Sequence, residues 1–253
     1  MNEQKPLIEP NPWTALRQFT GARIALGRVG ASLPTDEVLR FGLAHAMARD
    51  AVHTPLDVPA LSVALTVAGL SSSAVTSRAP DRPTYLLRPD LGRMLHASSV
   101  KTLQDLNTGV DLVFVIADGL SAVAAQRHSL PLLAEIQPLL HPSWRLAPVV
   151  VATHARVALG DEIGECFRAR LVVMLIGERP GLSAPDSLGA YLTFQPRRGR
   201  TDAERNCVSN IRPAGLEYPL AARKLVWLIT EALHLQLSGI ELKDDSDKVL
   251  LPR

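Results

Sequence analysis

The sequence predicts an α/β protein: a Rossmann-like parallel sheet flanked by helices, preceded by a mainly helical N-terminal region. Three observations carry this expectation. Beyond residue 105, short apolar runs alternate with amphipathic stretches. The runs at 112–116 and 171–176 are apolar at consecutive positions, so both faces of each strand need cover, as in a parallel sheet with helices on each side. Before residue 105 the patterning is helical. The chain accordingly divides into a helical region, 1–104, and a Rossmann-like domain, 105–253.

In the first region Thr35 is a candidate N-cap, with Asp36 and Glu37 in the first turn, where the helix dipole favours anions. Leu39, Leu43 and Met47 follow at four-residue spacing and read as the apolar stripe of an amphipathic helix. Residues 55–90 are rich in turn formers and give no clear assignment. In "RPDLGRMLHASSV" (88–100), Pro89 suits the first turn of a short helix.

The second region opens with "DLVFVIADG" (111–119), an apolar run that stops at Asp-Gly. "SAVAAQRHSLPLLAEIQPLL" (121–140) is helical in pattern, with Pro131 expected to start or kink a helix. A strand follows within 144–157, a short helix at 160–169, and then "RLVVMLIGERPG" (170–181). "SLGAYLTFQP" (187–196) comes next, and a long last helix, 220–239, stops at Gly239. The C-terminal "KDDSDKVLLPR" (243–253) reads as a tail.

Composition narrows the function. The chain has 253 residues, 47% hydrophobic and 21% charged, which gives one large or two modest soluble domains rather than a disordered protein. A net charge of +2 is too small to imply nucleic acid, and the basic "PRRGR" (196–200) runs into "DAE" (202–204), as a solvated loop would. Cys166 and Cys207 form neither a disulfide framework nor a zinc spacing. No signal-peptide core opens the sequence, and no apolar run is long enough for a membrane span, so the expected location is the cytoplasm.

Ligands of open α/β sheets bind beyond the carboxyl ends of the strands. "ADGLS" (117–121), "HARVALGDE" (154–162), "GERPG" (177–181) and the segment leading to "RNCVSN" (205–210) are expected at such ends. The acid, base, proline and glycine that close the most apolar strand therefore sit on the expected ligand edge. Gly-x-Gly-x-x-Gly between strand and helix is absent, as are a P-loop, Gly-x-Ser-x-Gly and His-Glu-x-x-His. The seven histidines are scattered without metal-ligand spacing, and Cys207 has no local base. No catalytic residue and no metal ligand is assigned.

Seven phrases in order go further: "GRVGASLPT" (27–35), "RPDLGR" (88–93), "ADGLSA" (117–122), "VALGDEIGE" (157–165), "IGERPGLSAPDSLGAYLT" (176–193), "GRTDAERNCVSNIRPAGL" (199–216) and "LSGIELKD" (237–244). Together they resemble the small (light) subunit of ethanolamine ammonia-lyase, from about residue 20 to about 244. The resemblance implies adenosylcobalamin (coenzyme B12) chemistry that converts ethanolamine to acetaldehyde and ammonia through a 5′-deoxyadenosyl radical. It implies a large subunit that holds the substrate, a small subunit that walls the cobalamin, and a hetero-oligomer of the two. Carried over residue by residue, the cofactor contacts are Val157, Glu178 and Cys207.

Corrin side chains end in primary amides, for whose N–H groups a carboxylate such as Glu178 is a strong acceptor. The resemblance also implies base-on cobalamin. An Asp-x-His-x-x-Gly loop that would offer a protein histidine to the cobalt is not found: "DAVHTPLD" (50–57) has the wrong spacing, and His154 has no aspartate two residues earlier. Some family members carry a longer N-terminal extension linked to a bacterial microcompartment, so that location stands as the alternative to free cytoplasm. The runner-up function is a stand-alone α/β nucleotide- or cofactor-binding oxidoreductase.

Overall fold

The computed structural model describes residues 7–106 and 109–247. Six strands form one sheet: β1 (Ser72–Thr76), β2 (Leu112–Ala117), β3 (Val149–Thr153), β4 (Leu171–Gly177), β5 (Leu188–Phe194) and β6 (Arg205–Ile211). Their order across the sheet is β1-β3-β2-β4-β5-β6. The first three pairings in that order are parallel, and β4–β5 and β5–β6 are antiparallel. The expected parallel sheet is thus a mixed one. A parallel return needs a crossover of a dozen or more residues, whereas β4 and β5 are joined only by residues 178–187, which contain no helix.

The consecutive apolar residues of the central strands cover two cores. Leu112, Phe114 and Ile116 of β2 pack on one face with α5 (Ala122–Ile136) and α7 (Tyr218–Leu235). Val113, Val115 and Ala117 pack on the other face with α4 (Ala97–Gln104) and α6 (Leu159–Cys166). Every residue of β2 and β4 is buried. α5 begins under a proper cap, Ser121 accepting from the Ala124 amide at 3.3 Å, and runs through Pro131 unbroken.

The segment before residue 105 holds α1 (Thr35–His53), α2 (Val58–Val67), α3 (Arg82–Leu87) and α4, but also β1, an edge strand of the main sheet. That strand was hidden in the turn-rich stretch. Thr35 does not cap α1: it is the first helical residue, after Pro34, with no side-chain cap bond. Leu39, Leu43 and Met47 do line one stripe of α1, but the stripe faces outward, at 67%, 64% and 49% exposure. The buried positions of α1 are Glu37, paired with Arg17 at 2.7 Å, and Ala51.

α7 ends at Leu235, four residues before the expected glycine, with Gln236 in the left-handed conformation. Residues 248–253 of the expected tail lie outside the described residues, but its beginning is anchored. Lys224 of α7 pairs with Asp247 at 2.6 Å and Asp244 at 3.4 Å, and Ser246 is buried. No helix among the described residues is long and apolar enough to cross a membrane.

One ion pair ties α6 to the antiparallel edge. Asp161 and Arg205 are both buried and meet in a two-pronged contact of 2.6 and 2.7 Å. Arg205 also donates to Thr193 Oγ1 at 2.9 Å and to the Arg200 carbonyl at 3.1 Å. Burial pushes the Asp161 carboxyl upward, and the guanidinium opposes it. Removing one partner strands a buried charge, whereas replacing both by apolar groups removes the desolvation cost as well. Asp161→Leu alone and Arg205→Met alone are each expected to cost about 3–5 kcal/mol. The double replacement recovers most of that loss, as read by urea unfolding of the four proteins.

Candidate functional site

β2 leads through α5 to β3 on one side of it, and β3 leads through α6 to β4 on the other, with α5 and α6 on opposite faces of the sheet. The connections therefore part company between β2 and β4, the position at which doubly wound sheets open a crevice. A cleft of about 430 Å³ lies there, lined by Tyr85, Gly119, Leu120, Arg156, Val157, Ile176, Gly177, Glu178, Arg179 and Tyr191. A larger hollow, about 640 Å³, lies beside Val100 and Cys166 at the far end of α6, away from the strand ends. Its Glu162 already pairs with Arg198 at 2.8 Å.

The walls of the cleft meet backbone to backbone. Gly119 has φ +52°, and a Cβ there would stand 2.2 Å from the Gly177 carbonyl oxygen. A Cβ on Gly177 would stand 1.9 Å from the Ser121 carbonyl oxygen. Only glycine fits either position, and the contact is sealed by the Leu120 amide donating to Gly177 at 2.9 Å.

Beneath this contact Asp118, buried, gathers three elements. It accepts from the His154 and Ala155 amides at 2.8 and 2.9 Å and from Arg82 at 3.0 Å. Burial pushes its carboxyl upward, while the amides and Arg82 hold the charged form. Arg82 also donates to the Gly119 and Val52 carbonyls, both at 2.8 Å. Tyr85, fully buried, donates to the Ala155 carbonyl at 3.0 Å and carries two guanidinium groups near its ring, Arg82 at 4.9 Å and Arg156 at 4.4 Å from the centroid.

Of the three residues carried over by resemblance, Val157 and Glu178 line the cleft directly. Val157 lies in the turn before α6; its carbonyl accepts from Gly160 at 3.1 Å, and its N–H has no acceptor among the described residues. Glu178 follows β4 directly but is half-buried rather than solvent-facing. Its Oε2 accepts from the Ser187 hydroxyl and from the Asn210 amide, the latter at 3.2 Å. Its Oε1 has no donor among the described residues and lies over Gly189, where a Cβ would be 3.0 Å away.

Cys207 differs from expectation: it lies within β6, not on a strand-end loop. It is exposed and stands opposite Tyr191 in the β5–β6 register. Through Tyr191, which lines the cleft, Cys207 reaches the same rim as Glu178. Sequence reasoning missed Tyr191, Tyr85 and Arg156. Tyr191 occupies an apolar run, Tyr85 the unassigned stretch, and Arg156 is adjacent to Val157 in a quoted loop. The arrangement offers one carboxylate oxygen, one main-chain N–H, two guanidinium groups (Arg156 and the exposed Arg179) and the ring of Tyr191, the equipment to bind a large polar ligand rather than to activate a nucleophile.

Residues 10–243 match the family described as "Ethanolamine ammonia-lyase light chain (EutC)". The chain is 54% identical over 252 residues to the ethanolamine ammonia-lyase small subunit of Azotobacter vinelandii, covering 98% of this chain and 93% of that one. It is 53% identical over 249 residues to that of Pseudomonas fluorescens strain Pf0-1 (96% and 91% covered) and 54% identical over 242 residues to that of Pseudomonas aeruginosa strain LESB58 (94% and 89%).

Although Cys207 is an exposed residue, partial desolvation of its thiol raises the pKa above its ordinary value; the neighbouring Tyr191 opposes this and the nearby Glu178 charge adds to it. A raised pKa means less thiolate, the reactive form, at any given pH. In a Cys166→Ser background, alkylation of Cys207 by iodoacetamide is expected to be slow at neutral pH. Its rate should climb with a midpoint above that of an ordinary cysteine, about 8.5; a midpoint at or below that value contradicts the raised thiol pKa.

Proposed function

Because the chain belongs to the ethanolamine ammonia-lyase light-chain family, we propose that it is the cofactor-contacting small subunit of an adenosylcobalamin-dependent enzyme whose large subunit holds ethanolamine. The observation that carries this reading is the meeting of Val157, Glu178 and the Tyr191–Cys207 pair around one cleft at the β2–β4 switch. The sheet serves as a Rossmann-like wall.

The lining suits a large, amide-fringed macrocycle. Glu178 Oε1 accepts an amide N–H, and the Val157 N–H donates to an amide oxygen. Ser187 and Asn210 hold the Glu178 carboxylate in place while leaving that oxygen to the ligand. Cys207, exposed beside Tyr191, is read as neither nucleophile nor metal ligand. When bound, the cofactor supplies homolysis of its cobalt–carbon bond, and this chain's residues bind and orient it. The base-on form of cobalamin is the one the family resemblance implies, and no Asp-x-His-x-x-Gly loop is present in the sequence.

The large subunit is the proposed cover for the outward stripe of α1. The C-terminal end of α1 is tied to the ground beneath the cleft, where Arg82, paired with Asp118, donates to the Val52 carbonyl. The proposed location is the cytoplasm, with enclosure in a microcompartment as the alternative. The oxidoreductase reading has no glycine fingerprint to support it.

Two outcomes are expected. The chain purified alone releases no acetaldehyde from ethanolamine with added adenosylcobalamin, and activity appears on co-expression with the large subunit; turnover by the isolated chain overturns the division of roles. Glu178→Gln, which keeps size and an acceptor for Asn210, weakens cobalamin binding by the assembled complex. The loss of a hydrogen bond to a charged group, about 1.5–3 kcal/mol, corresponds to about ten- to a hundredfold in Kd. Equilibrium dialysis reads this, and an unchanged Kd excludes Glu178 as a contact.

A further inference from the structure

Two arginines lie against the Tyr85 ring, and only one of them is neutralised. Arg82 is paired with Asp118 at 3.0 Å and donates to two carbonyls. Arg156 has no ion pair and no side-chain hydrogen bond among the described residues, and its Nε is buried without a partner. Yet it is held firmly. Its amide donates to the Gly92 carbonyl at 2.8 Å and its carbonyl accepts from the Leu159 amide at 2.8 Å. Its stem is wedged beside Tyr85 and Gly92, where a Cβ on Gly92 would come within 3.0 Å of Arg156 Cγ. A half-buried guanidinium fixed in this way, with a second cation on the same ring, calls for a counter-charge.

The protein does not provide one. Glu178 is the carboxylate on the cleft, and its Oε2 is committed to Ser187 and Asn210. It also stands at the end of β4, whereas Arg156 follows β3, and β2 lies between them. Two strand spacings separate these ends by roughly 10 Å. Two arginines thus line the cleft: Arg179, exposed beside Glu178, and Arg156, which is held in place at the other end, away from the acceptor Glu178. Corrinoid side chains are neutral amides, which match that acceptor. The phosphodiester of the cobalamin nucleotide loop is the anion on the periphery of that cofactor, and a planar guanidinium fork matches its oxygens.

We propose that Arg156 is the phosphate-binding residue of the cleft and that it takes the nucleotide-loop phosphodiester of cobalamin, an assignment that rests on the cofactor reading above. Arg156 then orients the loop side of the cofactor toward the end of β3 and the amide fringe toward Glu178.

The test uses the assembled two-subunit complex with Arg156 intact, Arg156→Gln and Arg156→Lys. Equilibrium dialysis gives the Kd of each for cyanocobalamin and for dicyanocobinamide, which lacks the nucleotide loop and its phosphate. Arg156→Gln is expected to weaken cyanocobalamin binding about ten- to a hundredfold and to leave dicyanocobinamide unchanged. Arg156→Lys, which keeps the charge without the fork, falls between. Inorganic phosphate should compete with cyanocobalamin in the unsubstituted complex and not with dicyanocobinamide. Equal weakening of both corrinoids, or no weakening of cyanocobalamin, overturns the assignment of Arg156. Failure of the unsubstituted complex to bind either corrinoid overturns the cofactor reading itself, so the two failures are distinct. Unchanged dicyanocobinamide binding by Arg156→Gln also serves as the check that its fold is intact.

Discussion

The site depends on the backbone contact between Gly119 and Gly177. At the end of β2 and the end of β4 the main chains approach more closely than any side chain permits. That contact fixes the separation of the two strand-end turns, and everything on the cleft is hung from it. Asp118 precedes the first glycine and reaches across to the end of β3. Glu178 follows the second and reaches across to β5 and β6. One residue on each side of a glycine pair thus extends the same geometry to both halves of the sheet. The Asp161–Arg205 pair repeats the logic farther out, joining the helix after Val157 to the strand of Cys207.

The central fold was legible because burial on two faces leaves a mark in composition: consecutive apolar residues at 112–116 and 171–176 need helices on both sides. Strand direction leaves no such mark. β5 runs backward because the ten residues from 178 to 187 are too few for a crossover, a signal carried by spacing rather than by residue type. β1 was obscured by small and hydroxylated residues, Ser72, Ser73, Ala74 and Thr76, with only Val75 buried. At an edge, hydrogen bonds to one neighbour suffice, and little apolar content is required.

The site was legible in part. The expected ligand edge and the loops of Val157 and Glu178 follow from the position of strand ends in this class of sheet. The identities of the proposed contacts came from resemblance, because Val157 presents a main-chain N–H to the cleft and no rule of side-chain chemistry singles it out. Tyr191 was invisible for a different reason: within a strand, an aromatic residue that packs and one that lines a cleft look the same. The aromatic floor of Tyr85 was likewise unreadable, since its two guanidinium neighbours arrive from residues 82 and 156, far apart in sequence.

The outward stripe of α1 bears on how the chain is made as well as on what it meets. A helix that exposes Leu39, Leu43 and Met47 while burying a glutamate is poorly suited to life without a cover. On the proposed assembly, chains synthesised in excess of the large subunit present that strip to one another, and contact between like strips competes with assembly. Balanced production of the two polypeptides is then a solubility requirement written into the surface of one helix.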